Sequence, residues 1–315
     1  HKTLGEPVPR HGLEVLGGLN HPGQADRTGR LELARSLVDG VSPLAPRVIV
    51  NRVWHWRFGR GIVPSTDDFG AMGQAPTNPE LLDWLAAELI RQKWSLKALD
   101  RQIVLSSVYR MSEDAQPAAL AADPENRLWS HRPRRRLDAE SIRDGVLAVS
   151  GRLDRAMYGP GVAPHLTEFM AGRGKPSVSG PLDGAGRRSV YINVRRNFLS
   201  PMLLAFDYPT PFTTIGRRGT SNVPAQALTM MNNPFVAEQA EIWGRRALAE
   251  SSDPRERVAR MYAEAFSRAP TAAEQERVAA FIAEQAAQYP QNETWRAWAD
   301  LAHVLLNTKE FIFIE

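Results

Sequence analysis

The 315-residue sequence predicts a mainly α-helical, multi-helix globular domain with one short strand or hairpin and one long loop rich in glycine and proline. Helix-capping residues recur along the chain, each ahead of a segment whose apolar side chains are spaced three and four residues apart. One segment alternates apolar and polar side chains as a half-buried strand does. The domain is therefore expected to be built from helices packed on a common core.

The composition is that of an ordinary globular chain. Apolar residues make up 43% and charged residues 23%, and 39 basic residues against 35 acidic ones leave a net charge of only +4. So small a surplus does not by itself indicate nucleic acid, which is therefore an unlikely partner. No apolar run approaches the roughly 18 residues that a membrane-spanning helix needs, so membrane insertion is not expected.

Two helices are predicted near the start of the domain. Thr28 is a good capping residue for the first helix, and Gly40 is a good terminator because glycine tolerates the left-handed conformation. The second helix is expected to start at Pro46, because N–H groups of the first turn have no intrahelical partner. The second helix is expected to end at Gly59 or Gly61.

The same capping argument predicts the later helices. Asn78 precedes Pro79 and Glu80, which places a cap, a first-turn proline and an early acid in order. Thr271 and Glu274 have the spacing of a capping box. The remaining helices are expected to begin at or after Ser95, Asp138, Pro224 and Asp253, and the last to carry an apolar stripe from Trp295 to Leu305.

Residues 157–188 interrupt the helical pattern with many glycines and prolines. A loop of this length inside a compact domain is uncommon and is usually functional or mobile. The segment Ser189–Asn193 follows it, with Val190 and Ile192 on one face of an alternating pattern that Val194 continues. This segment is the strand predicted for the domain.

The chain is expected to begin with an irregular lead-in or linker over residues 1–24, because prolines and glycines break that stretch repeatedly. The domain then covers residues 25–315. A loose, proline-containing stretch after residue 116 makes 25–116 and 117–315 candidate sub-lobes.

Trp54, His55 and Trp56 share one predicted helix and are candidates for binding a ligand, because indole rings can stack on a sugar or a base. The alternative is that Trp54 and Phe58, four residues apart, pack into the core. His55 is a poor metal ligand candidate, since no second histidine or acid follows four residues later. No metal site is predicted.

Basic residues form a second set of ligand-binding candidates, because guanidinium groups bind phosphate or sulfate with two hydrogen bonds. For the densest cluster the alternative is a structural one, in which nearby acids at helical spacing neutralise the arginines. The candidates are Arg134, Arg135, Arg136, Arg173, Lys175, Arg195 and Arg196.

Polar side chains in the densest motifs are predicted to form a structural hydrogen-bonding framework. The framework residues are Asn51, Arg52, Asp68, Glu140, Arg143, Asp144, Asp207, Asn222 and Gln226.

No catalytic residue is predicted, since no phosphate loop or nucleophile elbow is present. The chain has no cysteine, which excludes disulfides, thiolate zinc sites and covalently attached haem within it.

The motifs, taken in order over about residues 25–315, resemble one family: the planctomycete cytochrome-associated PSD-one domain, the domain-of-unknown-function family fifteen-fifty-three. The segments that carry the resemblance are 50–61, 68–70, 79–86, 94–99, 135–144, 187–191, 206–209, 220–228 and 305–311.

The resemblance implies a setting and leaves the chemistry open. Such domains are expected at the C-terminal part of large exported proteins, beside a companion domain and often a c-type cytochrome domain. It therefore implies an extracytoplasmic location, in the periplasm or cell envelope, with companion domains of the same polypeptide as partners. No cofactor is expected in this chain, and any haem c would lie in another domain.

Two functions remain open at this point. The first is a non-catalytic structural or partner-docking domain of a larger cytochrome-linked protein, motivated by the family context. The alternative is binding or hydrolysis of acidic or sulfated extracellular polysaccharide, motivated by the tryptophans and the basic residues. The sequence leaves open whether the chain is an enzyme.

Overall fold

The computed structural model describes residues 5, 6, 14, 28–39 and 42–314. Most of the predicted lead-in therefore lies outside the described residues. The chain divides into two compact units, His1–Pro133 and Arg134–Glu315. The boundary falls later than the candidate boundary at 116/117, because Trp129 packs in the core of the first unit and the Arg132 N–H donates to the Ser112 carbonyl.

The first unit is helical in its described part. Its core surrounds α2 (Leu44–Phe58) and α3 (Pro79–Arg91) and includes Trp54, Phe58 and Leu89. The Asn51 side chain is fully buried. Its amide forms hydrogen bonds with both the N–H and the carbonyl of Val63, so the chain after α2 is held against that helix. The helices of this unit are α1 (Arg30–Val38), α2 (Leu44–Phe58), α3 (Pro79–Arg91), α4 (Leu96–Leu105) and α5 (Pro117–Ala122).

The second unit is also mainly helical in its described part. Its core forms where α9 (Pro234–Glu250) packs along α12 (Trp295–Leu306) and against α6 (Ala139–Ser150), with Trp243 of α9 fully buried at the centre. The helices of this unit are α6 (Ala139–Ser150), α7 (Pro201–Ala205), α8 (Pro224–Asn232), α9 (Pro234–Glu250), α10 (Pro254–Phe266), α11 (Ala272–Ala286), α12 (Trp295–Leu306) and α13 (Lys309–Ile312).

A short two-stranded sheet also belongs to the second unit. Strand β1 (Arg135–Arg136) pairs antiparallel with β2 (Phe313–Ile314), so the two ends of the unit meet. The mainly α-helical fold class is therefore confirmed. Within the described residues, no helix is both long enough and apolar enough to cross a membrane.

Four of the predicted helix caps are confirmed by side-chain hydrogen bonds. Asn78, Ser95 and Asp253 each accept a backbone N–H of the helix that follows, at 2.9, 3.3 and 2.9 Å. Thr271 and Glu274 form the predicted capping box, in which the side chain of each residue accepts the backbone N–H of the other. These caps are local interactions, which explains why the sequence predicts them.

The predicted start of α1 is wrong by one residue. Gly29, in the left-handed conformation with φ 71°, is the N-cap in place of Thr28. The helix ends at Val38, and Gly40, the predicted terminator, lies outside the described residues.

Helix α2 begins earlier than predicted and ends where expected. It starts at Leu44, so Pro46 occupies its first turn, where a missing N–H costs no intrahelical bond. Gly59 caps the C-terminus with φ 81°.

The predicted strand at Ser189–Asn193 is wrong. Residues Ser189–Tyr191 form a 3-10 turn, and Ile192 makes only an isolated bridge to Val162. Val190 is 72% exposed, whereas the Ser189 side chain is buried and hydrogen-bonded. The polar residue therefore fixes this segment, and the alternating apolar face that suggested a strand is not buried.

Residues 157–188 are confirmed as a long irregular segment. They contain one short 3-10 turn, Gly184–Gly186, and otherwise have no helix or named strand. Gly184 has φ 60°, and a Cβ there would lie 2.5 Å from the Arg143 guanidinium. This position therefore needs glycine because of its left-handed backbone and because there is no space for a side chain.

The α9–α12 contact gives a direct test of the core of the second unit. A Cβ on Gly244 would lie 2.5 Å from the backbone nitrogen of Ala299, so the helices must separate to accept a methyl group. We expect Gly244→Ala to lower the free energy of unfolding by about 1–3 kcal/mol, measured by urea denaturation. Gly219→Ala is the matched control, because open space surrounds Gly219; an equal loss in both variants would contradict this account.

Candidate functional site

Four segments far apart in sequence meet at the start of α6 in the second unit. They are β1 with the first turns of α6, the turn Ser189–Tyr191, the residues after α7, and the segment that leads into α8. Most of the contacts that hold them together are hydrogen bonds from arginine or serine to carboxylates. We call this set the α6 network.

Asp207 connects the residues after α7 to two other segments of the α6 network. It accepts the Ser221 N–H at 2.7 Å, the Ser221 hydroxyl at 2.9 Å and the Arg136 guanidinium at 2.8 Å. Its backbone is left-handed, with φ 61°, a conformation that aspartate tolerates better than most residues. Burial raises the pKa of Asp207, but the hydrogen bonds from Ser221 and the charge of Arg136 outweigh it and leave the pKa below its ordinary value.

Arg136 is the buried cation that Asp207 neutralises. Its side chain is only 3% exposed, and its guanidinium also donates to the Phe206 carbonyl at 3.1 Å and lies 5.4 Å from the centre of the Phe206 ring. A buried guanidinium without a counter-ion is strongly unfavourable, so this pair fixes the residues after α7 against β1.

Glu140 and Arg218 form a second ion pair at the first turn of α6. The Arg218 guanidinium donates to both Glu140 carboxylate oxygens, at 2.6 and 2.9 Å. The neighbouring Tyr208 hydroxyl has a raised pKa, caused first by burial and then by the negative charge of Glu140. Asp138 occupies the N-cap position of α6, but its side chain makes no cap hydrogen bond and lies 3.9 Å from Arg218.

Asp144 and Arg143 bind the turn Ser189–Tyr191 from the same helix. Asp144 accepts both the N–H and the hydroxyl of Ser189 at 2.7 Å. Arg143 donates to the Ser189 hydroxyl at 3.1 Å and to the carbonyls of Arg187 and Asp183. Burial lowers the pKa of Arg143, while the charges of Asp144 and Asp183 act in the opposite direction.

The α6 network extends to α8 through Gln226. This side chain is buried and donates from Nε2 to the Ser221 carbonyl at 3.2 Å and to the Ser221 hydroxyl at 3.1 Å. The inward face of α8 therefore carries this glutamine together with the buried Met230. Its apolar side chains Leu228 and Met231 are 57% and 56% exposed, and Val223 just before it is 43% exposed.

Carboxylates held in this way act as fixed anions that brace the segments around them. Asp207, Glu140 and Asp144 are each bound by at least one guanidinium or serine hydroxyl, so their acceptor sites face the protein itself. In the ranges 28–39 and 42–314 no group of three or more histidine, aspartate or glutamate side chains is placed to hold a metal ion.

The tryptophan motif lies in the first unit. Trp54 is buried and its ring stacks on Phe58 with centroids 4.2 Å apart, the arrangement given above as the alternative to ligand binding. Trp56 is 60% exposed, and His55 between them is half-buried.

The basic candidates lie in the second unit and occupy different environments. Arg136 is inside the α6 network, Arg135 is half-buried on β1, and Arg134 is exposed. The other four are exposed side chains that make no ion pair within the described part of the chain; they are Arg173, Lys175, Arg195 and Arg196.

The predicted framework residues form more than one group. Glu140, Arg143, Asp144, Asp207 and Gln226 meet in the α6 network. The others do not join it: Asn51 is bound to Val63, Arg52 lies on α2, Asp68 accepts the Gly70 N–H at 2.8 Å, and Asn222 is exposed on the surface.

Sequence reasoning missed three residues on which the α6 network depends. Ser189, Ser221 and Arg218 supply hydrogen bonds to Asp144, Asp207 and Glu140. Ser189 and Ser221 stand inside motifs of the resemblance, which was an available signal. Arg218 stands outside those motifs, and no pattern in the sequence identifies it.

The Asp207–Arg136 pair predicts a pH-dependent stability effect. We expect Asp207→Asn, which tolerates the left-handed backbone, to lose about 2–4 kcal/mol of unfolding free energy at neutral pH, because Arg136 loses its counter-ion. Since the folded pKa of Asp207 is lowered, its contribution is present above its unfolded pKa and is lost as pH falls through the folded pKa.

The difference between wild type and Asp207→Asn should therefore shrink below about pH 4, measured by urea denaturation across pH. Asp138→Asn is the matched control, because Asp138 makes no cap hydrogen bond and is 65% exposed. A pH-independent difference would contradict the proposed role of the Asp207 charge.

Comparison with known proteins places this fold in a family. No curated protein and no solved structure matches the chain. The family model described as PSD1, protein of unknown function (DUF1553), matches residues 29–282, which include every carboxylate of the α6 network described above. The match covers well over half of the sequence. The chain therefore belongs to the PSD1 family of proteins of unknown function, DUF1553.

Proposed function

We propose that this chain is a non-catalytic partner-docking module of a larger exported, cytochrome-linked protein, and that α8 forms the centre of its docking surface. The observation that carries this proposal is the apolar outer face of α8. Leu228 and Met231 on this face are more than half exposed, whereas Gln226 and Met230 on the opposite face are buried. A helix on a monomer surface normally exposes polar side chains, so outward apolar side chains favour a surface that is covered by a partner.

The α6 network supports the proposal because it holds α8 in this orientation. Gln226 is bonded to Ser221, Ser221 to Asp207, and Asp207 to the buried Arg136. Breaking any of these links leaves a buried polar group without a partner, which costs about 1–3 kcal/mol. The helix therefore cannot easily rotate Leu228 and Met231 inward.

The proposed occupant is the apolar surface of a companion domain of the same polypeptide. The exposed residues Pro224, Leu228 and Met231 follow the spacing of one helix face, and α8 contains no charged residue. An uncharged, apolar stripe of this kind fits a partner surface that is itself apolar. Location outside the cytoplasm and association with a cytochrome are the parts of the proposal that rest on the family resemblance.

Site-specific photo-cross-linking in the full-length gene product tests this function. We expect a photoreactive benzoylphenylalanine at Leu228 to cross-link to a companion domain, identified by peptide mass spectrometry. Leu248 on α9 is the matched control, an apolar side chain that is 38% exposed on another helix. A second experiment places the probe at Met231 and adds Leu228→Glu. We expect this substitution to lower the yield of cross-links to the companion domain about tenfold, because a charge is then buried in the interface.

Two outcomes would count against the docking proposal. Equal cross-linking at Leu228 and Leu248 would show that α8 has no preferred partner. Cross-links only to a second copy of the chain would replace the companion domain with a homodimer.

Binding of an acidic or sulfated polysaccharide is the second candidate. It is favoured by Arg195 and Arg196, adjacent exposed arginines that make no ion pair with any described residue. Exposed guanidinium groups without an ion pair can bind sulfate or carboxylate groups of a ligand.

A heparin-binding titration tests this second function. We expect the Arg195→Gln/Arg196→Gln double variant to bind heparin about tenfold more weakly than wild type at low salt. The matched control is Arg101→Gln/Arg255→Gln, which removes two exposed arginines elsewhere. Failure of the wild-type chain to bind heparin, or an equal loss in both double variants, would exclude a dedicated site at Arg195 and Arg196.

A further inference from the structure

A cavity of about 340 Å³ lies between α10, α11 and α12, close to the start of α13. This volume is at the lower end of the range for small-molecule sites. It is separate in sequence and in lining from the α6 network and from α8. Its apolar walls come from Phe266, Val278, Phe281, Leu301, Val304 and Leu305.

Two acids at the cavity, Glu274 and Glu310, share one arginine as their partner. Arg268 donates to both oxygens of Glu274, at 2.9 and 2.8 Å, and to both oxygens of Glu310, at 2.6 and 2.8 Å. The hydrogen bonds from Arg268 and from the Thr271 backbone lower the pKa of Glu274 to about 2. The oxygens of both acids are therefore engaged by Arg268, and a cationic ligand would have to compete with Arg268 for them.

The donors that remain at the cavity are Tyr262 and Arg277. Burial raises the pKa of Tyr262, so its hydroxyl stays protonated at neutral pH and can donate a hydrogen bond. Arg277 lines the cavity, is exposed, and makes no ion pair with the described residues. The Thr308 hydroxyl is not available in the same way, because it donates to the Leu305 carbonyl at 2.7 Å.

We infer that this cavity binds a small amphipathic carboxylate. The apolar part of the ligand lies among Phe281, Val304 and Leu305, and the carboxylate accepts hydrogen bonds from the Tyr262 hydroxyl and the Arg277 guanidinium. No bond is made or broken, so the proposed activity is binding. This site is independent of docking at α8 and extends beyond it.

The charges at the cavity decide between three possible head groups. A carboxylate gains a charge-assisted hydrogen bond from Arg277, whereas the alcohol is expected to make only the weaker neutral hydrogen bond with the Tyr262 hydroxyl. An ammonium group finds Arg277 repulsive and Glu274 and Glu310 occupied by Arg268. The affinity is therefore expected to fall from carboxylate to alcohol to amine when the apolar part is kept constant.

The experiment measures binding of octanoate, 1-octanol and octylamine to the whole chain by isothermal titration calorimetry. These probes share an eight-carbon chain and differ in the head group. We expect octanoate to bind most tightly and octylamine least. Tighter binding of octylamine or 1-octanol than of octanoate would overturn the assignment of the head group, and no binding of octanoate would overturn the site.

Two variants separate the apolar end of the site from its polar end. Val304 is 47% exposed at the cavity, so Val304→Trp should fill the space and weaken octanoate about tenfold or more. Arg277→Gln should weaken octanoate about tenfold and leave 1-octanol unchanged, because only the charged head group contacts Arg277.

Leu248→Trp is the matched control, since it adds the same ring at an exposed apolar position on α9 and should leave octanoate binding unchanged. Circular dichroism of each variant reports whether the fold is retained, and Val304→Phe provides a smaller filling residue if Val304→Trp unfolds. Octanoate binding that is equal in wild type and in a folded filling variant would overturn the proposal.

Discussion

The Asp207 carboxylate is the interaction on which the second unit's surface depends. It accepts hydrogen bonds from Ser221 and Arg136, which belong to segments more than eighty residues apart in the chain. The hydroxyl of Ser221 in turn receives Gln226 of α8. A buried guanidinium needs a counter-ion, which Asp207 supplies to Arg136, and a buried glutamine needs acceptors, which Ser221 supplies to Gln226. The orientation of α8 follows from this chain of requirements.

Helix α6 supplies the acids that organise the surrounding loops. Glu140 binds Arg218, and Asp144 binds the turn at Ser189, so two long irregular segments are fixed by carboxylates on one helix. Both contacts are only partly exposed and involve two hydrogen bonds each, which makes them worth more than isolated surface pairs. The helix can carry so many charges because the opposite face, including Ile142 and Val146, is fully buried in the core.

The sequence predicts features whose causes are local, and it fails where the cause is distant. The capping box of Thr271 and Glu274 needs only four consecutive residues, and both the mainly α-helical class and the family could be predicted. The Ser189 turn was predicted as a strand, because its partner Asp144 lies 45 residues away. Arg218 was missed for the same reason, since Glu140 is 78 residues away. At the candidate site, the acids of α6 were predictable from their spacing, but their partners were not.

Helix α12 connects the two surfaces that we assign to binding. The His303 Nε2 atom lies 3.1 Å from the Met230 carbonyl of α8, and a carbonyl accepts, so this nitrogen carries the proton. The next residue, Val304, lines the carboxylate-binding cavity. Because α12 is packed along α9 by fully buried residues such as Leu306, neighbouring positions on it are held rigidly. The cavity and the docking helix α8 are thus positioned by one element, although each would recognise its own partner through different chemistry.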